Sequence, residues 1–346
     1  MGTDERYMQR CLDLAVNGMG RVAPNPMVGC VVVYDGHIIG EGYHRRYGGR
    51  HAEVHALEAV SDPSLLPRAA LYVNLEPCSH QGKTPPCAGL LIRKKIGRVV
   101  VATLDPNPEV AGKGLLMLRE NGIDVTLGVC GDLARQLNRR FFTFHEKKRP
   151  YVILKWAQTA DGFIDIIRKP GAPARPTWIT SEKLRMLVHK WRSEEAAIMV
   201  GTNTALLDNP TLNVRHWHGR QPLRVVIDKK CILPNTLNIF HGEQPTLVYN
   251  HVRNARNNNI SWVRLPPGED MPGGIMRHLY TEGIQSVLVE GGRYLLQALI
   301  DQNLYDEARV FTGNQFFGDG CRAPLPGNVN TSRIIMENED FFWHMP

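Results

Sequence analysis

The chain has no apolar run approaching the roughly 18 residues that a membrane-crossing helix needs, so no span is expected. No block of Lys and Arg with interleaved aromatics occurs in its 346 residues, which argues against a nucleic-acid groove although the net charge is +7. A solvated basic surface, with small anionic ligands as a second source, accounts for that excess. No segment repeats at a fixed period, so nothing points to a solenoid. The opening Met-Gly-Thr-Asp-Glu-Arg has no apolar core of a secretory leader. The seven cysteines are scattered and odd in number, which excludes a regular disulfide framework. A reducing cytoplasm is the expected setting. No G-x-G-x-x-G follows a candidate strand, so an ordinary dinucleotide-binding fold is not signalled.

What is present is ordinary globular composition, 43% hydrophobic and 22% charged, at a length that suits two domains. Met8, Cys11, Leu12, Ala15 and Val16 are spaced for a helix over residues 4–17. Val28–Val33 and His37–Gly42 form a hairpin across Asp35-Gly36. A helix from about His51 to Val60, a strand Leu71–Asn74, a helix from about Pro86 to Lys94, strands Arg98–Thr103 and Ile123–Leu127 and a helix near Gly114–Glu120 continue the alternation. Such alternation indicates an α/β layered domain. The charged and aromatic stretch Phe141–Arg149, ending at Pro150, reads as a junction and divides 1–147 from 148–346. Beyond it, Tyr151–Lys155, Ala196–Val200, Leu223–Ile227, Thr246–Tyr249, Ser286–Val289 and Glu307–Phe311 read as strands. Ser181–Trp191, capped by Thr180 or Ser181, and Tyr294–Ile300 read as helices, and polar Asn254–Asn259 as a surface loop.

One imidazole, two thiols and a carboxylate fall between His51 and Cys87. His51, Cys78 and Cys87 make a three-ligand zinc set that leaves the fourth tetrahedral position for water. Glu53 is then a spare carboxylate placed to move protons on and off that water. H-x-E followed by P-C and a second Cys is the pattern of zinc-dependent deaminases acting on amino-heterocycles. A purely structural zinc site would call for a fourth ligand, for which His80 or His55 stands nearby. His51-Ala52-Glu53-Val54-His55 differs from the metalloprotease H-E-x-x-H because its Glu is displaced by one position. The remaining cysteines are expected as small buried hydrophobes or surface thiols.

The eight residues Ser-His-Gln-Gly-Lys-Thr-Pro-Pro between Cys78 and Cys87 depart from the C-x-x-C of nucleobase deaminases. With Ala23-Pro24-Asn25-Pro26-Met27-Val28-Gly29 and His44, this arrangement resembles the bifunctional deaminase–reductase family of riboflavin biosynthesis. The resemblance covers nearly the whole chain. It implies a cytidine-deaminase-like three-layer domain followed by a dihydrofolate-reductase-like α/β domain. Zn2+ and NADPH are the implied cofactors and a phosphoribosylamino-pyrimidine the implied substrate. No nucleic acid or membrane partner is implied, and self-association is left open. In the first half Asn25, His44 and Lys83 resemble substrate contacts, where the plain alternative is a turn residue, a surface histidine and a solvated lysine.

In the second half Lys155-Trp156-Ala157, Asp161-Gly162, Trp178-Ile179-Thr180-Ser181, Gly201-Thr202-Asn203-Thr204, Asp208-Asn209-Pro210 and Val289-Glu290-Gly291-Gly292 carry the resemblance. It implies cofactor contacts at Ala157, Trp178, Thr204, Asp208 and Gly292. It implies substrate contacts at Lys155, Arg192, Leu212, Arg215 and Glu290, with the guanidinium forks suited to phosphate. The glycine turns after two strands suit phosphate oxygens independently. Residues 163–176 are more proline-rich than the family's usual Gly/Ser loop, and Pro176 replaces a small polar contact. The rival class is a nucleic-acid or nucleoside deaminase with an appended binding domain, against which the thiol spacing argues.

Overall fold

The computed structural model describes residues 2–79, 86–108, 110–169, 171–325, 327, 330–336 and 339–345. The chain divides into two compact units, Met1–Lys148 and Arg149–Pro346. Among the described residues no helix is long and apolar enough to cross a membrane.

The first unit runs α1 (Thr3–Ala15), β1 (Gly29–Tyr34), β2 (His37–Tyr43), α2 (Ala52–Glu58), β3 (Ala70–Val73), α3 (Cys87–Arg93), β4 (Arg98–Val101), α4 (Lys113–Glu120), β5 (Asp124–Leu127), α5 (Gly131–Leu137) and α6 (Arg139–Lys147). Its five-stranded sheet has the order β2-β1-β3-β4-β5. β1 pairs antiparallel with β2 and β3, and β3, β4 and β5 are parallel. Successive strand residues point to opposite faces. Cys30, Val32, Leu71, Val73, Val99 and Val101 therefore pack with Ala56, Leu57, Ala88, Leu91 and Leu118 of α2, α3 and α4 on one side. Val31, Val33, Tyr72 and Val100 pack with Met8, Cys11 and Leu12 of α1 on the other, which makes three layers. Glycines in β2 let α2 sit directly on the sheet: a Cβ at Gly42 would stand 2.5 Å from the Cβ of His55, and one at Gly40 would stand 2.3 Å from the Ala56 carbonyl oxygen.

The second unit runs β6 (Tyr151–Gln158), β7 (Phe163–Asp165), α7 (Glu182–Glu194), β8 (Ala197–Val200), α8 (Thr202–Asp208), β9 (Leu223–Ile227), β10 (Thr246–Asn250), β11 (Ala255–Asn257), β12 (Ile260–Arg264), α9 (Met271–Thr281), β13 (Ser286–Val289), α10 (Arg293–Asp301), β14 (Glu307–Thr312), β15 (Cys321–Arg322), β16 (Asn330–Met336) and β17 (Glu339–Met345). Its ten-stranded sheet has the order β11-β12-β10-β9-β8-β13-β6-β14-β17-β16. Pairings from β12 through to β14 are parallel, and antiparallel strands close both edges. The central strands are near-continuous apolar runs because helices cover both faces. Val152, Leu154, Val287 and Val289 meet α9 and α10, whereas Tyr151, Ile153, Leu288 and Phe311 meet Leu184, Val188 and Trp191 of α7. Ser181 caps α7 through its side chain to the Leu184 N–H.

The stretch Phe141–Arg149, expected as a junction, contains most of helix α6, and the division after Lys148 falls within it. One expectation needs correction. Asn254–Asn259, expected as a loop, contains β11, paired antiparallel with β12.

Candidate active sites

His51 is the N-cap of α2, in extended backbone at φ −73 and ψ 164. That placement matters because His51 and Glu53 on one regular helix would diverge by about 200°. Outside the helical screw, His51 turns toward the next loop while Glu53, in the first turn, is buried at 3% exposure. Cys78 leaves β3, and Cys87 opens α3. His51 Nδ1 lies 3.3 Å from Cys87 Sγ and 3.6 Å from Cys78 Sγ. All three ligand atoms lie within 4.8 Å of one another. A tetrahedral zinc with two thiolates and an imidazole has donor–donor edges of about 3.6 Å, so the set fits the ion. The Cys87 N–H donates to Cys78 Sγ at 3.3 Å. The Cys78 thiol is drawn down, first by the Cys87 thiol and then, against burial, by His51. Burial pushes the Glu53 carboxyl up, partly offset by His51. His55 is not part of the ligand group, and Lys83 and His80 lie outside the described residues.

Asn25 and His44 come together beside this group. The Asn25 amide donates to His44 Nε2 at 3.1 Å, and His44 Nδ1 donates to the Arg50 carbonyl at 3.0 Å. Burial holds His44 below the usual imidazole range, and its ring meets His51 edge-on at 5.6 Å.

Three buried residues that sequence reasoning missed set the loops. Asn138 accepts from the Met27 N–H at 2.8 Å and donates to the Met27 carbonyl at 2.8 Å. Asn74 accepts from the Gly29 N–H at 2.7 Å and donates to the same Met27 carbonyl at 3.0 Å. Glu76, two residues before Cys78, accepts from the N–H groups of Gly112 and Gly114, both at 2.9 Å. A Cβ on Gly114 would stand 2.0 Å from the Pro77 carbonyl oxygen, so the start of α4 presses on the Cys78 loop. Glu76 was legible as an acid at the exit of an apolar strand; nothing local marks Asn138.

In the second unit one cavity of ≈ 1010 Å³ opens at the C-terminal ends of β6, β8 and β13. Crevices there are the usual ligand sites of parallel sheets. Lys155, Ala157, Trp178, Arg192, Thr204, Asp208, Leu212, Arg215, Glu290 and Gly292 all line it. The volume stands at the upper end of the roughly 300–1,000 Å³ typical of ligand pockets. The glycine turn after β13 faces the turn after β8: the Gly201 N–H donates to the Gly291 carbonyl at 3.1 Å. Gly291 takes φ +112, and a Cβ on Gly292 would stand 3.0 Å from Thr204 Oγ1. This bare backbone cradle fits a phosphorylated dinucleotide.

Arg192 grips Glu290 bidentately, Nε to Oε1 and Nη2 to Oε2, each at 2.6 Å. Burial raises the Glu290 carboxyl, but Arg192 outweighs it and the net shift is downward. Lys155 is held below the usual lysine range by burial, against the pull of Glu290. Arg215 donates to the Asn213 side chain at 3.1 Å, and its own N–H meets His189 Nδ1 at 3.4 Å. Burial, followed by Arg192 and Arg215, holds His189 down at about 4. Asp208 pairs with Arg168 at 2.8 Å, and burial raises its carboxyl to about 6.

Residues 1–103 match the model of the cytidine and deoxycytidylate deaminase zinc-binding region, and residues 150–339 match that of the RibD C-terminal domain. The riboflavin biosynthesis protein RibD of Aquifex aeolicus (strain VF5) is 40% identical over 323 residues, which cover 92% of this chain and 88% of that one. RibD of Escherichia coli (strain K12) is 38% identical over 344 residues, covering 94% and 92%. The crystal structure of a diaminohydroxyphosphoribosylaminopyrimidine deaminase/5-amino-6-(5-phosphoribosylamino)uracil reductase from Thermotoga maritima is similar at TM-score 0.88 and 37% identity, over 99% of each chain. The chain thus pairs a cytidine-deaminase-like fold and its zinc group with the RibD reductase fold, for which NADPH is the implied cofactor. By sequence, by fold and by its His/Cys/Cys group, this chain belongs to the RibD family of bifunctional deaminase–reductases of riboflavin biosynthesis.

Proposed function

We propose that the unit ending at Lys148 hydrolytically deaminates 2,5-diamino-6-(5-phosphoribosylamino)pyrimidin-4-one, and that the unit beginning at Arg149 reduces the ribosyl group of the product to a ribityl chain. The observation that carries this reading is buried Glu53 beside the convergent atoms of His51, Cys78 and Cys87. When bound, zinc supplies the Lewis acidity that makes water a nucleophile near neutral pH. Glu53 accepts the proton of the attacking water on a carboxylate oxygen and passes it to the amine, which leaves as ammonia. Asn25, steadied by neutral His44, hydrogen-bonds the pyrimidine edge. Lys83 is assigned to an acceptor or phosphate of the same substrate.

In the second unit NADPH, when bound, supplies the hydride. Ala157, Trp178, Thr204, Asp208 and Gly292 are assigned to it, since all line the cavity around the glycine turns. Leu212 and Arg215 are assigned to the sugar phosphate. Arg215 has no carboxylate within ion-pair distance among the described residues, which leaves its charge for a phosphate. Arg192 keeps Glu290 ionised beside Lys155. Desolvation weakens the hold of Lys155 on its proton, which suits it to donate the proton that must accompany the hydride. The unbridged cysteines fit a reducing cytoplasm.

Purified protein given the phosphoribosylamino-pyrimidine and NADPH is expected to release ammonia and oxidise NADPH. Ammonia release without oxidation removes the reductase half of this reading, and neither signal removes all of it.

A further inference from the structure

We propose that Arg168 is a positioning residue: it ties the cavity-lining stretches around Asp165 and Thr177 into one wall of the cavity of the second unit and so sets Ile166 and Trp178 against the planar rings of NADPH. This rests on the assignment of NADPH to that cavity. The latch is built on one guanidinium, 12% exposed. Its Nε meets Asp165 at 2.9 Å and its Nη2 meets Asp208 at 2.8 Å. Its Nη1 donates to the carbonyls of Arg175 at 2.7 Å and Leu207 at 2.9 Å. Thr177 Oγ1 closes the ring by donating to Asp165 Oδ1 at 2.6 Å. β7, the 175–177 stretch and the end of α8 therefore share one tie.

The two latched positions each precede a large apolar residue in the cavity lining. Asp165 precedes Ile166, and Thr177 precedes Trp178. Ile166 is 45% and Trp178 51% exposed. Exposed apolar surface inside a cavity marks what a ligand covers. Arg185 stacks over the Trp178 ring at 4.5 Å and steadies it. The guanidinium also offsets two carboxylates that would otherwise face an anionic cofactor together. A lysine offers one compact ammonium and cannot fork to two carboxylates and two carbonyls.

The test uses the full-length chain. Arg168→Ala is expected to raise the NADPH dissociation constant, read by calorimetric titration, about tenfold or more, as loss of charge-assisted hydrogen bonds implies. KM for NADPH should rise by a similar factor while kcat stays within about twofold. Arg168→Lys should recover only part of the affinity, and Ile166→Ala should weaken it as well. Wild-type NADPH affinity in Arg168→Ala, or a fall in kcat with unchanged affinity, overturns the proposal. Should Arg168→Ala fail to fold by thermal unfolding, Thr177→Val decides: reduced affinity supports the latch, and unchanged affinity overturns it. If the wild-type protein itself binds no NADPH, the cofactor assignment fails and the latch fails with it.

Discussion

Cys87 and Glu53 are both buried beside His51, yet their chemistry predicts opposite outcomes. Cys87→Ser replaces a thiolate donor by a hydroxyl that stays protonated at neutral pH, so one of three ligands is lost. Zinc content and ammonia release should fall together, and full zinc in this variant would overturn the ligand assignment. Glu53→Ala removes a proton carrier and no ligand. Metal analysis should find wild-type zinc, while the deamination rate drops by about 10²–10⁴-fold. Loss of zinc in Glu53→Ala would instead make the carboxylate part of the coordination sphere. The residue types were legible in the sequence because their chemistry is specific. Their directions were not: whether His51 and Glu53 converge depends on His51 being an N-cap, and only the backbone dihedrals settle that.

Elements whose apolar residues follow one period were read within a few residues of their observed ends. β1, β3, β4 and β8 are runs of buried Val, Leu, Ile and Met flanked by turns, and both α1 and α7 show a clear apolar stripe. Misses fell where local propensity and tertiary context disagree. Helix α9 begins Met-Pro-Gly-Gly, a sequence of helix breakers, and forms because Asp270 caps it and Ile275, Met276 and Leu279 are buried. β11 is exposed at every position, so no alternation marked it. α6 mixes charges with aromatics, so its helix went unread although the division of the chain falls just after it. Contacts between elements carry their own test. Gly114→Ala puts a Cβ against the Pro77 carbonyl, and overpacking of this kind costs about 1–3 kcal/mol. The expected signature is a lower melting temperature together with faster zinc loss to a chelator, because Pro77 precedes Cys78. A lower melting temperature with unchanged zinc retention would show that the α4 contact does not govern the metal loop.

On the scale of the whole molecule, two compact units carry two sets of site residues, each set within one unit. Arg192→Ala removes the bidentate partner of buried Glu290 and leaves it facing only Lys155, a loss of several kcal/mol. It should release ammonia at the wild-type rate and oxidise NADPH at least about tenfold more slowly, with each unit supplied its own substrate. Glu53→Ala should reduce the deaminated compound at near the wild-type rate; if it does not, the division of labour proposed here fails. The clamp of Asn138 on Met27 spans 111 positions, and it gives the first unit an order in time. On a growing chain every metal ligand has been made by Cys87, but Asn138 follows roughly 3–10 s later at synthesis rates of about 5–20 residues per second. Until then the Asn25 loop has Asn74 but lacks Asn138, the second of the two side chains that fix its main chain. The supply of ligands thus runs ahead of substrate positioning during synthesis, and the two rest on different side chains in the finished protein. Asn138→Ala should carry a full zinc complement while its KM for the pyrimidine rises: the last-made of the two clamps serves the substrate, not the metal.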